Sequence, residues 1–213
     1  MKIFKIRGKN FKEIVGTVVK SIQEGKIVVC PTDTVYGLIA DATNKGAIEK
    51  VFKIKKRPKE KPIPIFVKDL KMAKNFAEIN KNQEQFLRKI WPGKVTVILR
   101  PRRKFPKGIG KPKKEIGLRI PDCEIINRLL SIINRPPERQ RRGKKKINLL
   151  RPLTGTSANI SGKPPSTKIK EVISQFKNQK HQPDLVIDAG NLKSSKSSTV
   201  LDLTVSPPKI LRP

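Results

Sequence analysis

Histidine occurs once in this chain, at His181, and cysteine twice, at Cys30 and Cys123. That scarcity excludes a histidine-based or CxxC-type metal centre, and a Ser-His-Asp triad built on any other histidine. Acidic residues are also few: 17 Asp and Glu stand against 49 Lys and Arg, a formal charge of +32 that favours a partner rich in phosphate. No apolar run approaches the ~20 residues of a membrane helix. The first fifteen residues, MKIFKIRGKNFKEIV, alternate apolar and charged positions without the apolar core of a secretory signal. The expectation is a cytoplasmic protein with reduced thiols and no membrane partner.

What is present is a globular composition. With 36% apolar residues in 213, the chain can bury a core, and a single domain over residues 1–213 is expected. Eighteen prolines fall in loops and punctuate it. Phe11, Ile14, Val15, Val18, Val19 and Ile22 recur at helical spacing after a capping-box-like Asn10 and Glu13, and Gly25 stops the run. Ile27–Cys30 reads as a buried strand ended by Pro31, which places Thr32–Gly37 at a strand exit. A helix from an Asn44 cap through Ile48, Val51 and Phe52 ends at Lys55 and Lys56 before Pro58. Ile63–Val67 reads as a strand, Asp69–Ala77 and Asn82–Ile90 as helices, and Val95–Leu99 as a central strand.

Further along, Ile116–Ile120 is a strand carrying Arg119, and Asp122 caps a helix through Ile133. Leu149–Leu153 leads into the small-residue loop Thr154–Gly162, and Ser166 caps a helix to Phe176. Strands at Leu185–Ile187, Val200–Leu203 and Ile210–Leu211 close the chain. Helices and strands alternate early and strands follow one another late, so the fold class is α/β with a mixed parallel and antiparallel sheet. Two segments lack any period: the basic loop 100–114, with eight cations and no acid, and a mobile insertion over 135–148 whose stretch Arg135–Lys146 carries seven cations and one Glu.

Several side chains stand out chemically. Lys55 and Arg57 at a helix end can be solvated caps favoured by the macrodipole, or cations for a ligand. Ser157 and Asn159 lie in a small-residue loop able to approach a phosphate, and with the cations they describe an anion cradle. A guanidinium buried in a strand needs an anion, so Arg119 either pairs with Asp33 or Asp41 or grips a substrate carboxylate. Thr34 and Tyr36 can bind a small polar substrate or simply close a strand end. Trp91 reads as a core anchor, and Cys30 and Cys123 as small buried residues.

Six blocks in order, Pro31–Leu38 (PTDTVYGL), Lys55–Pro58 (KKRP), Trp91–Gly93, Leu118–Pro121 (LRIP), Ser157–Gly162 (SANISG) and Ser198–Val200, resemble the YrdC-like family of threonylcarbamoyl-AMP synthases in its short form. The resemblance runs from about Ile14 to Arg212. It implies a twisted mixed sheet flanked by helices around a positively charged cavity. The implied activity is a nucleotidyl transfer: L-threonine, bicarbonate or CO2, and ATP give threonylcarbamoyl-AMP and pyrophosphate, the first step of the t6A modification at position 37 of tRNA. By motif, Lys55, Arg57, Ser157 and Asn159 resemble its Lys-x-Arg and Ser-x-Asn tetrad, Thr34 and Arg119 its threonine-binding positions, and Thr96, Ser198 and Arg212 its further nucleotide contacts.

The resemblance further implies Mg2+ arriving with ATP, and downstream t6A-transferase proteins as partners. Ile39, Phe66 and Pro165 depart from the family pattern. Alternatives from the same fold are a non-catalytic module holding double-stranded or structured RNA, and a carbamoyl-transfer domain of the hydrogenase-maturation type. The basic loops, which lack interleaved aromatics, are either solvated lysine-rich insertions or contacts to tRNA made through phosphates rather than bases.

Overall fold

The computed structural model describes residues 1–8, 10–111, 114–135 and 150–213. The α/β class holds, with the mixed pairing divided between two sheets. The first contains β1 (Lys2–Lys5), β2 (Val28–Cys30), β3 (Gly37–Ile39), β8 (Thr156–Ser157) and β9 (Leu185–Asp188), in the order β1-β9-β2-β3-β8. The second contains β4 (Ile65–Phe66), β5 (Val95–Leu99), β6 (Ile116–Arg119), β7 (Leu153–Thr154), β10 (Thr199–Asp202) and β11 (Lys209–Arg212), in the order β11-β10-β5-β6-β4-β7. β2 and β9 are buried β-branched strands paired in parallel, and β5 lies inside its sheet between β10 and β6.

Helix α1 (Phe11–Gln23) buries Ile14, Val15, Val18, Val19 and Ile22 on one face, as the periodicity predicts, and packs against α5 (Glu124–Ile133). Each such side chain contributes about 1.5–3 kcal/mol through burial. Gly25 ends this segment at φ +73°, a left-handed position that glycine occupies without steric cost. The expected capping box at Asn10 does not form. Asn10 instead folds back on the preceding turn, accepting from the Arg7 amide and donating to Lys5 O. A capping box does form just ahead of the expected Asn82 start: Asn80 and Gln83 satisfy each other's amides at α4 (Lys81–Ile90).

Helix α2 (Lys45–Lys55) is capped as expected, Asn44 Oδ1 accepting from the Ala47 amide at 3.0 Å, and α3 (Leu70–Phe76) is capped by Asp69. Asp122 and Ser166 are not the caps expected of them. The Asp122 amide is drawn to the Asp33 carboxylate and α5 begins after Cys123, while Ser166 donates to Glu171 further along the chain, α6 (Ile169–Phe176) starting after Lys168. β1 lies within the charged N-terminal alternation and is fixed by parallel pairing to β9. Trp91 is buried and donates Nε1–H to Val95 O at 2.7 Å, the anchor expected of it.

The described part of the basic loop 100–114 is pinned to the body. The Arg102 amide donates to Phe76 O, the Glu78 amide to Arg100 O, and Phe105 packs on Phe76 with ring centroids 5.4 Å apart. The expected insertion over 135–148 lies, except for Arg135, outside the described residues. Among the described residues, no helix is long and apolar enough to cross a membrane.

Candidate active site

The two sheets meet at Gly155. β7 ends in the second sheet and β8 begins in the first, so the chain crosses between them at this one residue. A Cβ at Gly155 would stand 2.9 Å from the Phe66 ring, which explains why glycine makes the crossing. Beside it opens a cavity of about 240 Å³ with walls from both sheets. Thr32, Thr34 and Ser157 come from the first sheet and its loops; Phe66, Thr96, Arg119, Ser198 and Arg212 come from the second, and Arg57 from the segment after α2.

Three guanidiniums face this space. Arg57 is held by its own turn, Nε donating to Lys61 O at 2.8 Å and Nη2 to Pro62 O at 3.0 Å. Arg212 reaches back from β11 to Ser198, Nη2 donating to its carbonyl at 2.6 Å and to its hydroxyl at 3.2 Å. Ser198 Oγ in turn lies 3.0 Å from Thr96 Oγ1, so the three expected nucleotide contacts form one hydrogen-bonded group. Burial first, and then the Arg212 charge, pull Arg57 below the usual guanidinium range; burial does the same to Arg212. Both remain cations near neutral pH, and an anion between them would relieve the strain that their desolvation and mutual repulsion record.

Arg119 is 3% exposed and forms the first of its two expected contacts, a buried ion pair. Nη2 pairs with Asp33 at 2.7 Å and Nε donates to Gly93 O at 2.9 Å, while Nη1 lies 3.4 Å from Thr34 Oγ1 and the group sits over the Phe66 ring. The salt bridge is therefore to Asp33; Asp41 pairs with Arg151 instead. Among the described residues no carboxylate lines the cavity, Asp33 being turned to Arg119 and the Asp122 amide. The lining suits a polyanion and offers no carboxylate set for a resident Mg2+.

Three sequence-predicted residues do not line the cavity. Tyr36 is fully buried, its hydroxyl donating to Gly190 O at 2.7 Å and accepting from the Ala189 amide at 3.1 Å, so this strand end is closed rather than offered to a substrate. Lys55 is 1% exposed, and neither the solvated cap nor a cavity cation describes it. Its ammonium lies beneath the 154–162 loop, bonded to the carbonyls of Ser157 and Asn159 and to Asn159 Oδ1. Burial, then the Arg57 charge, bring it down to about 7. Asn159 is buried with its amide fully engaged. Conversely, Thr32, Thr156 and Ser197 line the cavity although no motif role is expected of them, as does Phe66, which departs from the family pattern. Thr32 alternates with Thr34 along the strand exit, a pattern visible in the sequence.

Fold and cavity together define an α/β protein with a cationic pocket between two sheets. A family model named Sua5_yciO_yrdC and described as "Telomere recombination" matches residues 20–213, and the chain belongs to this Sua5/YciO/YrdC family. A Pyrococcus abyssi protein named threonylcarbamoyl-AMP synthase is 33% identical over 193 residues, 90% of this chain and 51% of that protein. A Methanocaldococcus jannaschii protein bearing the same name in provisional form is 37% identical over 203 residues, 95% of this chain and 86% of that protein. The crystal structure of P. abyssi Sua5 complexed with L-threonine superimposes with a TM-score of 0.82 at 31% identity, covering 100% of this chain and 56% of that one. The chain thus spans most of one relative and about half of the other.

Proposed function

We propose that this protein is an L-threonylcarbamoyladenylate synthase, a nucleotidyltransferase of t6A biosynthesis. The observation that carries the reading is the convergence of Arg57, Arg119 and Arg212 on one cavity without a lining carboxylate among the described residues, in a chain 33% identical over 193 residues to a named synthase. In the reaction the amine of L-threonine takes up bicarbonate and water is lost, giving a carbamate. A carbamate oxygen then bonds to the α-phosphorus of ATP as the bond to the leaving pyrophosphate breaks.

Nucleophile and triphosphate are both anionic, so the task of the protein is electrostatic. Arg57 and Arg212, fixed by backbone carbonyls, lie ready for the phosphates, and Arg119 beside Thr34 is placed for the threonine carboxylate. No side-chain nucleophile is required. Mg2+ travels on the triphosphate oxygens as part of the substrate. The basic loop 100–114 supports direct tRNA contact through phosphates; the cytoplasm and the downstream t6A-transferase proteins complete the setting. The test is pyrophosphate release from ATP: it should require both L-threonine and bicarbonate, and release independent of either would refute the reading.

A further inference from the structure

Asn159 fixes its own orientation. Its Oδ1 faces two donors, Lys55 Nζ at 3.0 Å and Ser157 Oγ at 2.6 Å, and its Nδ2 faces two carbonyls, Ile160 O at 3.0 Å and Lys163 O at 2.6 Å. A flipped amide would set its NH2 against an ammonium and its oxygen against two carbonyls, so only one arrangement satisfies all four groups. The Lys55 ammonium commits its three N–H bonds to this loop, to two carbonyls and to Oδ1. The Ser161 amide returns a bond to Lys55 O at 2.7 Å, so the loop is sewn to the end of α2 from both sides.

The consequence falls on Ser157. A hydroxyl has one proton, and here it goes to Asn159 Oδ1, which can only accept. What Ser157 turns to the cavity is its lone pairs. A phosphoryl oxygen, also an acceptor, would be repelled there, whereas a hydroxyl or amine would be received. We infer that Lys55 is a positioning residue that sets the polarity of Ser157, so that this point of the cavity takes a hydrogen-bond donor of the nucleotide, a sugar hydroxyl or the base amine, and leaves the phosphates to the guanidiniums. This rests on ATP being the substrate.

Calorimetric titration of the intact chain with ATP and three analogues, each short of one donor, tests the inference: 2′-deoxy-ATP, 3′-deoxy-ATP and purine riboside triphosphate. One analogue should bind about five- to tenfold more weakly than ATP, the worth of one neutral hydrogen bond, and so identify the donor. In Ser157→Ala, which removes one half-buried hydroxyl and keeps the test available if Lys55→Met does not fold, that difference should fall to within about twofold. Lys55→Met should lose the same discrimination, and the double variant should bind no more weakly than the weaker single one, because both changes remove one contact. Equal binding of all four nucleotides to the wild type, undiminished discrimination in Ser157→Ala, or additive effects of the two substitutions would overturn the inference. A wild-type chain that binds no ATP would refute the proposed reaction itself.

Discussion

Replacing Arg119 by lysine separates the two duties of this residue. Lysine keeps the charge and one nitrogen, enough to pair with Asp33, but it cannot also hold Gly93 O and present a planar edge beside Thr34. The missing charge-assisted bond to Gly93 O costs roughly 1.5–3 kcal/mol, which in a chain of this length lowers Tm by about 3–12 °C. A threonine carboxylate that loses one of two charge-assisted bonds gives up about 1.5–3 kcal/mol, a KM increase of roughly ten- to a hundredfold. The KM for ATP should change less than about twofold, since Arg57 and Arg212 are untouched. Pyrophosphate release with each substrate varied in turn, alongside a thermal melt, measures all three quantities. A parallel rise in both KM values, or a large fall in Tm with threonine KM unchanged, would refute a substrate role and leave Arg119 as a structural ion pair.

Arg57→Ala should reduce adenylate formation by about a hundredfold with Tm moved by no more than a few degrees, because its partners are turn carbonyls near the surface; steady-state kinetics and a melt decide it. Lys55 sits at about 7 in the fold against 10.5 for a lysine in water, so between these values the unfolded chain binds more protons and stability should rise with pH. Above about pH 9 the burial that pushes the Cys30 thiol up offsets this rise until the lysine contribution ends at 10.5, so Tm should climb from pH 7 to 9, level off, and fall only above 10.5, and Lys55→Met should remove the climb. Neutralising Arg100, Arg102, Arg103, Lys104 and Lys107 should flatten the salt dependence of tRNA binding by roughly 0.7–0.9 log units for each phosphate no longer neutralised. Pyrophosphate release without tRNA should be unchanged, and an unaltered salt slope would remove the loop from the tRNA interface.

Local chemistry is legible in the sequence where it is carried by spacing. The period of α1, the Asn44 cap and the buried strand bearing Arg119 all depend on residues a few positions apart, and all are where the pattern puts them. Caps fall elsewhere where a side chain has a better distant partner, as when Asp33 takes the amide of Asp122. The division into two sheets, with a one-residue crossing at Gly155, is recorded by no periodicity. The candidate site divides the same way. Arg57, Thr34, Thr96, Arg119, Ser157, Ser198 and Arg212 are brought together, while Tyr36 is withdrawn by a carbonyl at Gly190 and Lys55 by carbonyls at Ser157 and Asn159, far from them in the chain. Motif order identifies which residues gather; only the hydrogen-bond inventory separates those facing the cavity from those bracing its wall.

A pocket whose two walls belong to different sheets does not exist in a half-folded chain. Thr32 and Arg212 are near opposite ends of the sequence, and the first sheet is itself incomplete until β9 docks between β1 and β2. Such non-local closure should make folding slow relative to a helical protein of the same size. On the proposed reaction only the finished molecule binds the nucleotide, so ATP at a hundred times its dissociation constant should add about 2.7 kcal/mol to the native state, and the substrate would protect the fold that uses it.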